Sequence, residues 1–244
     1  MMFSWDDQTR QWLEDASEWT GYNKSLARLL LEHIPRRDSL CDIGCGLGLV
    51  DLELARDIRA VTCVDISDYA VDYLRRRAAE SGADNITVKK SDGMALSGRW
   101  DTVLALFHGS VDLVCRKYLS MADDRLLFVT HSSQYSVTGP ESYRVRKSSN
   151  VPGDSQWLDT SGVVYTLHNA ALAFGQPHRS FEDAVTYHRT FSNGAPEDEL
   201  REYVKGCVQE TGRDDFPFFT QKVRRFGIFV IRREDNEDYL ARNA

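Results

Sequence analysis

Three acids and a run of glycines carry the first chemistry in this sequence. Asp42 stands before Gly44-Cys45-Gly46-Leu47-Gly48, Asp65 closes the apolar run Val61-Thr62-Cys63-Val64, and Asp92 precedes Gly93. Glycines at a chain reversal let the backbone turn tightly and lie close to a ligand. The unpaired amides of a following helix point at the same ligand. An acid at the end of an apolar strand suits sugar hydroxyls, so the set describes a nucleotide-like cofactor at the carboxyl edge of a parallel sheet. The spacing excludes a dinucleotide loop, whose third glycine would fall at Leu49. Asp42 would also repel a pyrophosphate, whereas it suits a cationic ligand.

These residues need strands that end at one edge, and the pattern supplies them. Strands are expected at 39–43, 60–65, 85–90, 101–106 and 125–130, with helices at 48–57, 68–80 and about 110–120 between them. Ser67 is a plausible cap for the helix at 68–80, which stops before Gly82. Alternation with short links implies an α/β fold, a doubly wound and mostly parallel sheet. Helices at 7–20 and 24–34 precede it, the second ending at Pro35. Trp5, Trp12 and Trp19 recur at a spacing that puts them near one helical face, where packing is the usual role of an aromatic stripe. Residues 132–162 break the rhythm and read as a long loop or insertion, a common place for a lid. Arg144, Arg146 and Lys147 within it are expected in solvent, with an anionic substrate as their alternative partner. A structured segment begins at Val163-Val164-Tyr165-Thr166-Leu167, helices follow near 181–191 and 196–210, and the last strand is expected at 221–232. The polar tail from Arg233 to Asp238 is expected to fray.

The 244 residues are 42% hydrophobic, which supports one domain with a full core. The division expected is 1–37 as an N-terminal helical cap, 38–131 as the cofactor-binding core, 132–220 as a substrate-side insertion with helices, and 221–233 as the last strand. A net charge of −7 argues against phosphate-backbone binding as the main activity. No apolar run is long enough to span a bilayer. The start, Met1-Met2-Phe3-Ser4-Trp5-Asp6-Asp7, has no basic region or apolar segment of a secretory signal. Five cysteines, Cys41, Cys45, Cys63, Cys115 and Cys207, suit a reduced, cytoplasmic protein. Cys41 and Cys45 lack a second Cys/His pair at ligand spacing, so no metal is expected.

Asp42-Ile43-Gly44-Cys45-Gly46-Leu47-Gly48 resembles motif I of the class I S-adenosylmethionine-dependent methyltransferases. Val64-Asp65-Ile66-Ser67, Lys90-Ser91-Asp92-Gly93 and Trp100 through Leu106 resemble their next three motifs, in the same order, over about residues 38–130. The resemblance implies a Rossmann-like, seven-stranded sheet of order 3-2-1-4-5-7-6 that ends in an antiparallel hairpin. It implies S-adenosylmethionine as cofactor and S-adenosylhomocysteine as product. The backbone of Gly44, Cys45 and Gly46 would pass beneath the methionine part, with Asp42 answering its ammonium directly or through water. Asp65 would accept from the ribose hydroxyls and Asp92 from the adenine amino group. Gly93 would give close approach and Ile66 would cover one ring face. Gly48 and Leu106 would border the same site. The N-terminal segment of this family often folds over the cofactor, which makes Tyr22 a further contact or else a core aromatic.

Transfer from a sulfonium needs a nucleophile aligned behind the methyl group, exclusion of water, and a base where the nucleophile is protonated. The acceptor should sit beyond Phe107-His108-Gly109-Ser110. His108 is the first candidate for the base and His131, after the fifth strand, the second; the plain alternative is a packed histidine bonded to a carbonyl. An Asn/Asp-Pro-Pro-Tyr segment, a paired-glutamate loop and a magnesium cluster are all missing. Together with the acidic charge, this favours a small-molecule acceptor over RNA or protein. A cofactor-binding module without turnover is the other alternative.

Overall fold

The computed structural model describes residues 5–243. The reading of Met1-Met2-Phe3-Ser4 lies outside them. Ten strands form two sheets. β1 (Leu40–Ile43), β2 (Val61–Asp65), β3 (Ile86–Lys90), β4 (Trp100–Leu106), β5 (Ala122–His131) and β6 (Thr166–Ala173) join β10 (Val223–Arg232) in the large sheet. The remaining three, β7 (Gln176–His178), β8 (Val208–Glu210) and β9 (Phe218–Thr220), make a small antiparallel sheet of order β7-β9-β8 that the sequence reading lacked.

The large sheet has the order β3-β2-β1-β4-β5-β10-β6. Its first five strands are parallel, and β10 runs antiparallel between β5 and β6. This is the expected Rossmann-like order. β1 is buried at all its positions because helices cover both faces. On one face α2 (Tyr22–Leu31) and α3 (Leu49–Leu54) bring Leu26, Leu30 and Leu54 onto the sheet. On the other, the helical stretch 111–121, α6 (Val151–Ser161) and α9 (Glu237–Arg242) bring Tyr118, Leu158 and Tyr239.

The N-terminal helices hold the small sheet against the large one. In α1 (Asp7–Thr20) Asp6 Oδ1 accepts from the Thr9 amide while Thr9 Oγ1 accepts from the Asp6 amide, a reciprocal cap. Trp12 is buried edge-on to Tyr187 and donates from Nε1 to Asp183 at 2.8 Å, and Trp19 stacks on Phe219. Both residues act as packing, as expected of the stripe. Trp5 differs: it precedes the helix and lies over the glycine loop.

Four expectations need correction. The stretch 110–120 is not one regular helix but a short α turn, α5 (Val111–Leu113), followed by a π turn at Val114–Tyr118 and a 3-10 turn at Leu119–Met121. The 132–162 stretch is not loop throughout, because α6 starts at the Asn150 cap, carries Pro152 in its first turn and stops at Gly162. β6 and β10 are antiparallel neighbours, but the 174–222 excursion joins them instead of a hairpin turn. The tail is packed: Asn236 is buried and bonds both the amide and the carbonyl of Val164, and Tyr239 fills the core. Its charged sequence hides one asparagine that closes the start of β6. Among the described residues no helix is long and apolar enough to cross a membrane, and all five cysteines are free.

Candidate functional site

The sheet order reverses between β1 and β4, so the chains leaving their carboxyl ends face one another across a crevice. Gly44 leaves β1 at a φ of 80°, and a Cβ there would overlap the His108 ring. His108 follows β4. Phe107 before it has a φ of 54°, the one left-handed non-glycine among the described residues. Such a conformation costs about 1–3 kcal/mol and clusters at functional sites. Here it turns Phe107 one way and His108 the other.

Asp65 ties the neighbouring loop to the glycines. Its Oδ2 accepts from the Gly46 amide and its Oδ1 from the Ser67 amide, both at 2.8 Å. Each oxygen keeps a lone pair that can take a ligand hydroxyl. The Trp5 ring lies 3.1 Å from where a Gly46 Cβ would stand and so roofs the loop. Gly48 has another use, since a Cβ there would overlap Leu74 of α4 (Asp68–Ser81). Its missing side chain lets the two helices pack. The Cys45 thiol turns back onto the Gly46 carbonyl.

Beneath the loop lies a closed acidic pocket. Asp42 and Asp51, the latter in α3, are buried there against each other, and no amide or hydroxyl donor reaches Asp42 among the described residues. Burial, then the Asp51 charge, holds Asp42 well above the ordinary carboxylate range, and burial raises Asp51 as well. Asp42 is therefore sealed under the glycines, where burial and Asp51 favour its protonated form.

Along the edge toward β3, Asp65 pairs in register with Lys90, which brings the Asp92 turn beside it. Asp92 is exposed and caps the Met94 amide at 2.9 Å. Gly93 leaves room for the Tyr118 hydroxyl and Ile43. Ile66 is 47% exposed and Met94 54% exposed. Two large apolar side chains held at solvent beside two carboxylates fit the faces of a flat ring. Sequence reading missed Met94, although it directly follows the Asp92-Gly93 motif.

Beyond Phe107, behind His131 and Arg224, lies a cavity of about 320 Å³. Phe107 stacks on His131, one of its walls, at 4.7 Å, and Arg224 lies 5.2 Å over the Phe107 ring. Gly44, His108, Phe107 and the cavity are thus a continuous line. Burial lowers the pKa of His108 against the opposing pull of Asp65 and Asp92, so the imidazole is neutral at pH 7. His131 is pushed down to about 3 by burial, Lys147 and Arg224. Tyr22 is a buried aromatic packed on Phe174, its hydroxyl accepting from Arg224 at 3.4 Å, which puts it on the cavity side. Leu106, half-buried, packs on the core at the end of β4. Of the three loop cations, Lys147 turns into the cavity, Arg146 bonds the Gln134 side chain, and Arg144 is half-buried. Lys222 and Arg224, which sequence reading did not single out, line the cavity from the β10 side.

Residues 40–124 match the family model described as a methyltransferase domain. Among solved structures the chain is similar to the [4+2]-cyclase SpnF, at 16% identity over 86% of this chain and 80% of that one, with a TM-score of 0.55. It is also similar to the YcgJ protein of Bacillus subtilis, at 15% identity over 86% and 98% of the two chains, with a TM-score of 0.52. A third is magnesium protoporphyrin IX methyltransferase of Synechocystis with bound SAH, at 16% identity over 93% and 89%, with a TM-score of 0.50. At these identities the structural likeness is one of fold.

Two predictions follow from the loop. Gly44→Ala should destabilise the protein by about 2–4 kcal/mol, because a left-handed alanine is strained and its methyl group overlaps the imidazole. In a His108→Ala background the steric part should disappear. Urea unfolding of the four proteins checks this, and an additive cycle would mean that the residues do not touch. The second concerns the buried acids. Their folded pKa values lie above the unfolded value of about 3.9, so the folded state binds more protons and its stability falls as pH rises past that value. Asp51→Asn should therefore raise the melting temperature at pH 8 and not at pH 4. An equal change at both would remove the pair as the cause.

Proposed function

We propose that this chain, a class I S-adenosylmethionine-dependent methyltransferase by its domain match and its sheet order, methylates a small molecule held in the cavity beyond Phe107. One observation carries the reading: His108 lies against Gly44, and the adjacent Phe107 packs on His131 and Arg224, two walls of a concave space of about 320 Å³. That volume is in the range of small-ligand sites, which begins at about 300 Å³. The cations lining it are mostly half-buried rather than spread over an open face, which favours a compact acceptor over a polymer.

The cofactor supplies a methyl group already activated on a sulfonium. Asp65 accepts from the ribose hydroxyls with the lone pairs left after its two amide bonds. Asp92 accepts from the adenine amino group, and Ile66 and Met94 cover the ring. The backbone of Gly44, Cys45 and Gly46 supports the methionine part, and Asp42 lies beneath it in a setting that favours its protonated form. Gly48 shapes this loop through its packing, while Leu106 and Tyr22 support the wall between cofactor and acceptor.

His108 takes the proton of the acceptor. It is neutral at pH 7 and stands where the glycine loop meets the cavity mouth. His131, pushed down to about 3, is too weak a base for that task and acts as cavity wall.

Calorimetry with S-adenosylhomocysteine tests the cofactor half. Asp65→Ala should weaken binding by about tenfold or more, since charged acceptors of hydrogen bonds contribute about 1.5–3 kcal/mol. Unchanged affinity would displace Asp65 from the ribose. Incubation with S-adenosylmethionine and a metabolite pool, read as labelled methylated product, tests turnover. Binding without product from any pool supports the silent-module alternative. His108→Ala should lower kcat by about 100-fold or more while keeping most of the cofactor affinity. The wild-type rate should fall with acid only at a pH below the ordinary histidine value of about 6.5, because burial keeps the His108 imidazole neutral further down. Full activity of the variant reduces His108 to packing.

A further inference from the structure

The cavity has a charge opposite to that of the protein. The chain carries a net charge of −7, yet the cavity lining includes Lys147, Lys222, Arg224 and Arg225 and no Asp or Glu. Lys222 Nζ donates to Thr138 Oγ1 at 2.9 Å and to Tyr187 Oη at 3.2 Å, and it lies 4.4 Å over the Tyr187 ring. Arg224 rests 4.0 Å over Phe174 and donates to Tyr22. The lysines that pair with acids are Lys90 and Lys205; Lys147, Lys222 and Arg224 join no ion pair among the described residues. The charges of Lys222 and Arg224 meet hydroxyls and aromatic faces.

These cations also feel one another. Burial and Arg224 lower the Lys147 pKa, and Lys147 and Arg224 together depress His131. Mutual repulsion in a partly desolvated space costs stability unless an anion enters. Tyr135 and Val137, 52% and 55% exposed, stand on the cavity rim among the hydroxyls of Ser132, Ser133, Ser136 and Thr138. Cations within the cavity and two exposed apolar side chains at its rim suit a ligand with an anionic end and an apolar body.

We propose that this cavity is an oxyanion site, and that the methyl acceptor is a small molecule bearing a carboxylate, phosphate or sulfate beside an apolar body. Lys147, Lys222 and Arg224 hold the anion. Tyr135 and Val137 cover the body, and the reacting atom points back past Phe107 toward His108. The acceptor class rests on the methyltransferase reading; the oxyanion site itself stands without it.

Calorimetry at low salt, with and without saturating S-adenosylhomocysteine, tests this using benzoate, phenyl phosphate and uncharged benzamide as probes. At least one anion should bind about tenfold or more tightly than benzamide and weaken with added salt. Comparing the two anions tells a carboxylate site from a phosphate site. Lys222→Met and Arg224→Met should each lower anion affinity about tenfold or more and leave S-adenosylhomocysteine affinity unchanged. Lys222→Gln and Arg224→Gln replace any variant that fails to fold. In wild type, the anion should raise the pKa of the His131 imidazole, followed by NMR. Benzamide binding as well as both anions, or full anion affinity in folded variants, overturns the site. So does polyuridylate displacing the anion at lower concentration, which would mark an open polyanion cleft. Anion binding without any S-adenosylhomocysteine binding leaves the oxyanion site standing and removes the methyltransferase reading. Cofactor binding without anion binding removes this inference alone.

Discussion

The geometry of the crevice depends on an absent side chain. The exits of β1 and β4 converge where the sheet order reverses, and Gly44 has no Cβ, so the His108 ring can lie directly over it. Any other residue at Gly44 would push the two exits apart. The left-handed Phe107 then has a use that repays its strain. It sends consecutive side chains to opposite sides, His108 to the glycine loop and Phe107 to the cavity wall. One dipeptide thereby belongs to both halves of the site, and the acceptor space is fixed relative to the cofactor loop by backbone alone.

Charge is sorted along the same line. Asp42 and Asp51 lie under the loop, Asp65 and Asp92 along the edge, and Lys147, Lys222 and Arg224 on the far side of Phe107. Burial favours the protonated forms of Asp42 and Asp51, so the contrast of sign lies between the edge carboxylates Asp65 and Asp92 and the cations beyond Phe107.

The glycine loop and the strand ends beside it were legible in the sequence because their determinants are local. The glycine spacing at Gly44 to Gly48 and acids at the ends of apolar runs are features of short segments. The strand-end acid at Asp65 follows from periodicity, whereas the sheet order came from the family resemblance and the structure bears it out. The acceptor half was not legible, because its walls come from segments far apart in the chain. Lys147 in the loop meets Arg224 at the start of β10, and neither has a local signature. The spacing of Lys222 and Arg224 puts them on one face of the chain entering β10, but only tertiary packing decides that this face is the cavity. The α6 helix is a different case. Asn150, Pro152 and Gly162 are start and stop signals that the polar composition of 132–162 masked.

The small sheet shows why the cavity exists at all. β6 and β10 are adjacent, and the 174–222 excursion between them must leave and return at the same edge. Folded back on itself as β7, β8 and β9 with two helices, α7 (Phe181–Thr190) and α8 (Glu197–Cys207), it stands on that edge as a separate wall. Trp12 and Trp19 of α1 then clamp the wall from the N-terminal side, and Tyr187, at the contact with Trp12, also receives Lys222. The residue that joins the wall to the helix is therefore the one that positions a cavity cation. The excursion reaches the cavity through Phe174, Tyr187 and Lys222, while β1 to β5 are built from the chain before it.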